Sequence, residues 1–152
     1  MILITICPIA YAKDSKSDYK AIENLFDSYM NKYNRYIKDR KLPKEPELYL
    51  DSIMLMSSSN SATVISSDDF NVQVTSFLDS LINQGVTYVT WESKDIKFLD
   101  KNIAVVSNIA IRYKGNGDVY NRVGATYFVN KLSNEWRIAA FAVHSPNFTG
   151  SL

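Results

Sequence analysis

The chain has 152 residues, and 46% of them are hydrophobic. Its 17 Lys and Arg residues nearly balance 16 Asp and Glu residues, which leaves a formal net charge of +1. These values are typical of one globular domain with a substantial apolar core, and they disfavour nucleic-acid binding through phosphate neutralisation. One cysteine and one histidine exclude a Cys/His zinc cluster and a CxxC redox pair, and we expect neither a metal nor another cofactor.

The first twelve residues are uncharged and end in the small-x-small pattern Ala10-Tyr11-Ala12, ahead of a polar run. This pattern is typical of a signal-peptidase site, so we interpret residues 1–12 as the remnant of a signal peptide before a single domain over residues 13–152. The segment lacks a basic n-region and is shorter than the ~15–30 residues of a leader, and an apolar strand packed on the domain is the alternative. A leader predicts a secreted or periplasmic protein, and its absence predicts a cytoplasmic one. No stretch reaches the ~18–20 apolar residues of a membrane span.

A long first helix is predicted by apolar residues that recur at three- and four-residue steps. Ser15 or Ser17 is its predicted N-cap, and Pro43 and Pro46 bring it to an end. These apolar residues form a stripe along one face of the helix. The tyrosines among them are compatible with a ligand-stacking surface, but such residues more commonly face the core. The stripe consists of Ile22, Leu25, Phe26, Tyr29, Met30, Tyr33, Tyr36 and Ile37.

A short hairpin and a second helix are predicted next. Residues 53–56 and 62–65 are apolar runs on either side of a serine-rich turn. Ser66 and Asp69 form a capping box that opens the helix, and Gly85 closes it.

Four strands over residues 87–99, 103–113, 120–131 and 136–144 are predicted by a period of two and by β-branched and aromatic residues. Helices followed by a meander indicate an α+β domain, a curved antiparallel sheet with helices on one face. The last strand is apolar on both faces, which predicts a homodimer through the outer face of the sheet. A loop or the N-terminal segment lying across that face is the alternative.

The closing sequence carries a family resemblance. Asn134 and the run Glu135-Trp136-Arg137-Ile138, followed by His144-Ser145-Pro146, complete an arrangement that resembles the SnoaL-like branch of the nuclear transport factor 2-like (cystatin-like) superfamily over roughly residues 17–146. The resemblance implies a cone in which a strongly curved antiparallel sheet wraps around the N-terminal helices and leaves an internal pocket, with frequent dimers through the sheet. It does not imply one activity, since the superfamily contains isomerases, cyclases, dehydratases, small-molecule binders and inert association domains.

Two catalytic candidates follow from the resemblance, because catalytic members use a carboxylate base with Tyr, Asp or His donors that stabilise an enolate. Asp51 occupies a position where the family often carries an acidic residue, and a solvated turn acid or helix cap is the alternative. In an apolar cone, desolvation raises the pKa of a carboxyl group. His144 is predicted in register with Trp136, pointing inward, although related histidines tend to lie nearer the tryptophan, at the positions of Ala140 and Ala142. A structural hydrogen-bonding role is the alternative for His144.

The remaining pocket predictions concern aromatic and charged residues. Arg112 shares a strand face with Asn108 and small apolar residues, so it could hold an anionic group if that face is concave. If the face is convex, Arg112 is an interface or surface charge. A single bulge in the first long strand would invert the predicted faces of Trp91 and Glu92. The predicted pocket residues are Tyr29, Tyr33, Tyr49, Trp91, Tyr127, Trp136 and His144.

Three functions are compatible with these observations. The first is binding of a small molecule in a mainly apolar pocket. The alternatives are an isomerase, cyclase or dehydratase that acts on a carbonyl compound by general acid-base catalysis, and a dimeric interaction module whose pocket is filled. An open cavity lined by Asp51, Tyr127 or His144 would favour chemistry, and a filled cavity would favour the module.

Overall fold

The structure, a computed structural model, describes residues 8–148, without the side chains of residues 8–15 and 148. Residues 1–7 of the predicted leader lie outside this range, so the leader interpretation stays a prediction. The elements are α1 Pro8–Asp39, β1 Tyr49–Ser57, β2 Thr63–Ser66, α2 Ser67–Asn83, β3 Val86–Asp100, β4 Ile103–Lys114, β5 Val119–Leu132, β6 Glu135–His144 and a 3-10 turn at Pro146–Phe148.

The first helix is longer than its sequence signals predicted. It begins at Pro8 rather than at Ser15 or Ser17, so the predicted N-cap is wrong. Proline is tolerated in the first turn because the amide hydrogen that it lacks would have no partner within the helix. The predicted end before Pro43 is confirmed: Arg40 adopts a φ of 58°, in the left-handed region typical of a helix end.

The hairpin and the second helix follow the predictions closely. β1 and β2 pair antiparallel, with Ile53 opposite Ile65. Ser66 caps α2, since its hydroxyl oxygen accepts the backbone N–H of Asp69 at 3.1 Å. Gly85 follows the helix with a φ of +86°, which glycine adopts without a steric penalty.

A single six-stranded sheet has the order β2-β1-β6-β5-β4-β3. Neighbouring strands are antiparallel except β1 and β6, which are parallel. The predicted meander of four strands is therefore confirmed. α1 packs against β3 and β6, two strands that β5 and β4 separate in the sheet, so the sheet curves around this helix.

Two of the β-bulges in the sheet bear directly on the predicted site residues. In β3, Trp91 pairs with Ala110 while Ser93 pairs with the next residue of β4, so one extra residue stands at Glu92. In β6, one extra residue stands at Ala139. Each bulge shifts the alternation by one residue and increases the local twist of the strand.

Burial of the helix stripe supplies much of the core. Ile22 and Phe26 have no exposed surface, and full burial of such side chains contributes about 1.5–3 kcal/mol each. Lys32 is also buried, and its ammonium group donates a 2.6 Å hydrogen bond to the carbonyl oxygen of Lys44 and another to that of Pro46. The long loop before β1 is thereby fastened to α1.

None of the helices in the described part of the chain is both long enough and apolar enough to cross a membrane.

Candidate functional site

A cavity of about 780 Å³ lies between the helices and the inner face of the sheet. Exposed residues of the β1–β2 turn and of α2, among them Asn60, Ser61, Gln73 and Phe77, lie at its mouth. Its volume falls in the range of sites for drug-sized molecules. Apolar side chains form most of the wall: Met30, Leu55, Met56, Phe70, Val74, Phe77, Leu81, Val89, Trp91, Ala110, Val123, Ala125, Phe141 and Val143.

Aromatic rings from α1, β3 and β5 form one side of the cavity. The rings of Tyr29 and Tyr33 stack at 4.2 Å, as expected for residues four apart on a helix. Trp91 and Tyr127 lie against Tyr29 at ring distances of 5.4 Å and 6.0 Å. The indole N–H of Trp91 donates a 3.0 Å hydrogen bond to the carbonyl oxygen of Phe26, which fixes the ring. These contacts make a rigid aromatic surface.

The tyrosine hydroxyl groups beside the cavity are neutral hydrogen-bonding groups. The Tyr33 and Tyr49 oxygens lie 3.3 Å apart. Desolvation by burial raises the pKa of Tyr33, of Tyr49 and of Tyr127 well above the usual value of 10. At neutral pH each hydroxyl therefore keeps its proton and can donate one hydrogen bond.

Arg112 is the one charged side chain among the described residues that line the cavity. β4 places it in phase with Ala110, and the face that they share is the inner one. Its guanidinium carbon lies 5.1 Å from the centre of the Phe77 ring, and one N–H donates to the Asn121 side-chain oxygen at 3.4 Å. Desolvation by burial lowers its pKa, but an arginine remains charged in proteins.

The predicted pocket residues divide into two groups. Tyr29, Tyr33, Trp91 and Tyr127 line the cavity. Tyr49 and Trp136 are buried but are not among the lining residues. Tyr49 lies behind the aromatic surface, where its hydroxyl meets Tyr33. Trp136 lies under the first half of α1, where its indole N–H donates a hydrogen bond to Asp18.

Asp51, a predicted catalytic base, lies outside the cavity. Its position in β1 is exposed, and it is not among the lining residues. The apolar cone that the catalytic hypothesis requires therefore does not surround this carboxylate. The exposed position of Asp51 agrees with the alternative interpretation, a solvated acidic residue.

His144 was predicted in register with Trp136, and this prediction is wrong. The bulge at Ala139 shifts the alternation, so Phe141 continues the inner face and His144 lies on the outer one. Its Nε2 lies 3.0 Å from the Thr126 hydroxyl oxygen, and its Nδ1 lies 2.9 Å from the Ser145 carbonyl oxygen. Because a carbonyl only accepts, Nδ1 carries a proton and, in the neutral ring, Nε2 accepts from Thr126.

Sequence reasoning missed Phe141 and Val143 as cavity residues. A signal was present in the sizes of the β6 side chains. Large residues stand at 136, 138, 141 and 143, whereas alanines occupy 139, 140 and 142. The step of three residues from 138 to 141 is odd, and an odd step between large residues of a strand indicates a bulge. An odd step of five residues separates Trp91 from Ile96 in β3.

Asn108 is a further buried polar residue of the inner face. It is 1% exposed, and neither side-chain polar atom has a hydrogen-bond partner among the described residues. It pairs across the ladder with Ala125, which lines the cavity, but it is not itself a lining residue. Over the same part of the chain, no three His, Cys, Asp or Glu side chains come together as metal ligands would.

Comparison with protein families places this cavity in a known fold. The model of the family described as NTF2-like protein (DUF6841) matches residues 17–146. The chain belongs to this NTF2-like family. The superfamily assignment and the α+β cone expected from the sequence are thereby confirmed, and the SnoaL-like branch stays a prediction. Comparison with curated proteins finds no match.

Solved structures similar to this NTF2-like chain support the same fold. An NTF2-like protein with a cystatin-like fold from Novosphingobium aromaticivorans has a TM-score of 0.69 at 9% identity, over 99% of this chain and 96% of that chain. An NTF-2 like protein of unknown function from Shewanella oneidensis has a TM-score of 0.58 at 15% identity, over 83% and 98%. A ketosteroid isomerase-like protein from Erwinia carotovora atroseptica has a TM-score of 0.54 at 18% identity, over 82% and 92%. At these identities the likeness shows the fold alone.

Proposed function

We propose that this NTF2-like protein binds a small, mainly apolar molecule in the cavity between its helices and sheet. The observation that carries the proposal is an open cavity of about 780 Å³ whose wall is mostly apolar and aromatic. Burial of apolar ligand surface there gives about 25 cal/mol per Å² of driving force, and the stacked Tyr29 and Tyr33 rings offer a flat, preformed contact.

Binding without catalysis fits the chemistry of the wall better than acid-base catalysis does. No Asp, Glu or His is among the described lining residues, and general acid-base catalysis needs a group that exchanges a proton near the working pH. The catalytic candidates Asp51 and His144 lie outside the cavity, so their positions give no support to an isomerase, cyclase or dehydratase. The neutral tyrosine hydroxyls suit hydrogen bonding to a ligand oxygen.

A filled pocket, which the interaction-module hypothesis requires, does not fit a cavity of this volume. Ala110 and Ala125 stand on its sheet side, where larger side chains would occupy the space.

The test uses N-phenyl-1-naphthylamine, an uncharged dye that fluoresces in apolar sites. We expect saturable binding at micromolar dye with one site per chain. Ala110→Phe should weaken binding because the new ring occupies part of the cavity, whereas Ala21→Phe, an identical change on the exposed side of α1, should leave it intact. No saturable binding, or equal binding by Ala110→Phe, would refute the proposal.

We also propose a homodimer through the outer face of the sheet. Phe128, on that face, is 41% exposed and lies opposite Ala140 and Val105 in the ladders. An exposed aromatic ring within an apolar sheet face is typical of a protein-protein contact.

In the cell, we propose a secreted or periplasmic location if residues 1–12 act as a leader, and a cytoplasmic one otherwise.

A further inference from the structure

The charge pattern of the cavity narrows the class of ligand. Arg112 brings one positive charge to the wall, and no Asp or Glu is among the described lining residues to balance it. None of the ion pairs formed within residues 8–148 includes Arg112. The cavity therefore carries a single cation without a counterion.

The contacts of Arg112 leave much of its hydrogen-bonding capacity unused. A guanidinium group has five N–H donors, and the one hydrogen bond that it makes to a described residue is the 3.4 Å contact with Asn121. The Phe77 ring lies at 5.1 Å and stabilises the charge without taking up a donor. Since a partly buried charge is costly without an anionic partner, this arrangement is suited to receive one.

The aromatic and apolar residues in the rest of the cavity wall indicate the chemistry of the part of the ligand that does not contact Arg112. Tyr29, Tyr33, Trp91 and Tyr127 present aromatic surface, and their uncharged groups cannot neutralise a second negative charge. One guanidinium matches one monovalent acid group, to which it can donate two parallel hydrogen bonds. A dianionic phosphate monoester would leave one charge uncompensated in the apolar site.

We propose that the ligand is an apolar, ring-containing or chain-like molecule with a single negatively charged acid group, such as a carboxylate, which Arg112 binds. This inference rests on the proposed small-molecule function and names its ligand class. The apolar body lies against the aromatic surface, and the acid group lies near Phe77, beside the mouth of the cavity.

A pair of matched dyes tests the anion site separately from the cavity. 1-Anilinonaphthalene-8-sulfonate has the skeleton of N-phenyl-1-naphthylamine with one sulfonate added. We expect the wild-type protein to bind the sulfonate dye about tenfold more tightly than the neutral dye, and this comparison needs no substitution. In Arg112→Met, the preference for the sulfonate dye over the neutral dye should fall by about tenfold or more.

Two further variants distinguish the site from general charge effects. Arg122 is an exposed arginine that forms an ion pair with Glu92. It precedes Val123 in the alternation of β5, so it lies on the face of the strand that points away from the cavity. Arg122→Met should therefore bind both dyes like the wild type. Arg112→Lys keeps the positive charge but lacks the planar guanidinium group, so it should retain part of the preference for the sulfonate dye over the neutral dye.

Each outcome decides one question. If neither dye binds, the small-molecule function fails and the acid-group inference fails with it. If both dyes bind with equal affinity and Arg112→Met changes neither, the cavity binds ligands but the anion site is refuted. A loss of sulfonate binding in Arg122→Met equal to that in Arg112→Met would also refute it.

Discussion

The indole N–H of Trp136 donates a hydrogen bond of 3.0 Å to Oδ1 of Asp18, and the ammonium group of Lys131 lies 2.7 Å from the same oxygen. Two strands of the sheet are thereby joined to the first helix through one carboxylate. Trp136, in the run Glu135-Trp136-Arg137-Ile138 that carries the family resemblance, thus has a structural role in this chain. It fixes α1 over the end of the sheet, away from the cavity.

Asp18→Asn should destabilise the protein by about 2 kcal/mol at pH 7, because it weakens a charge-assisted hydrogen bond and an ion pair that is mostly buried. For a chain of this length, the melting temperature should fall by about 4–8 °C. Asp27→Asn is the matched control, because the Asp27 side chain is 55% exposed in its pair with Lys94 and such pairs contribute at most ~1 kcal/mol. Calorimetry on both variants checks the difference.

The contribution of Asp18 should depend on pH. Desolvation raises the pKa of its carboxyl group, but hydrogen bonds from Lys131 and Trp136 and the Lys131 charge lower it by more, so the net pKa lies below the usual 3.8. A depressed pKa stabilises the folded state above the unfolded-state value, and this stabilisation is lost as the pH falls through the folded-state value. The difference in stability between the wild type and Asp18→Asn should therefore begin to narrow below about pH 4 and close only below the folded-state pKa of Asp18. A gap that stays constant down to pH 2 would contradict this assignment.

Gly124→Ala should destabilise the sheet by about 1–3 kcal/mol. A Cβ atom at Gly124 would lie 2.6 Å from two atoms of the His144 ring and 3.0 Å from the Ser145 carbonyl oxygen, so the imidazole must move. That movement would break the contact between His144 and Thr126.

A double-mutant cycle checks this packing of His144. Once His144→Ala removes the ring, Gly124→Ala should cost at least about 1 kcal/mol less than it does in the wild type. Strictly additive effects would mean that the ring does not lie against Gly124.

Lys32→Met should cost about 1–3 kcal/mol, because the carbonyl oxygens of Lys44 and Pro46 lose their donor while the apolar stem is retained. Lys38→Met, an exposed change on the same helix, should stay within about 0.5 kcal/mol of the wild type. Urea denaturation of both variants measures the two values. Equal stability of the variants would show that Lys32 does not hold the loop before β1.

Phe128→Lys should convert a dimer into a monomer in light scattering at micromolar concentration, because it places a charge in the proposed interface. Val72→Lys is the control, since Val72 is 66% exposed on α2 and lies outside the sheet. A wild-type protein that is monomeric at this concentration would refute the dimer and favour a segment of the same chain covering the outer face.

Much of the fold could be predicted because local rules govern it. The three- and four-residue spacing of Ile22, Phe26 and Met30 predicted α1, and the Ser66–Asp69 capping box located the start of α2. The period of two predicted the four meander strands to within two residues at each end. The predicted alternation that puts Arg112 on the same face as Asn108 also holds, because β4 carries no bulge between these two residues.

The residues that line the cavity could not be predicted from these local rules alone. A period-two pattern assigns faces correctly only while every residue pairs, and the extra residues at Glu92 and Ala139 each reverse the assignment. His144 was misplaced for this reason, and Phe141 and Val143 were missed as cavity residues. The sequence by itself determined the elements, their order and the apolar character of the inner face, because each follows from contacts between residues close along the chain. Only the tertiary structure decided that four of the predicted aromatic residues share one cavity with Arg112 while Asp51 and His144 lie outside it, because sheet curvature and the bulges bring distant segments together.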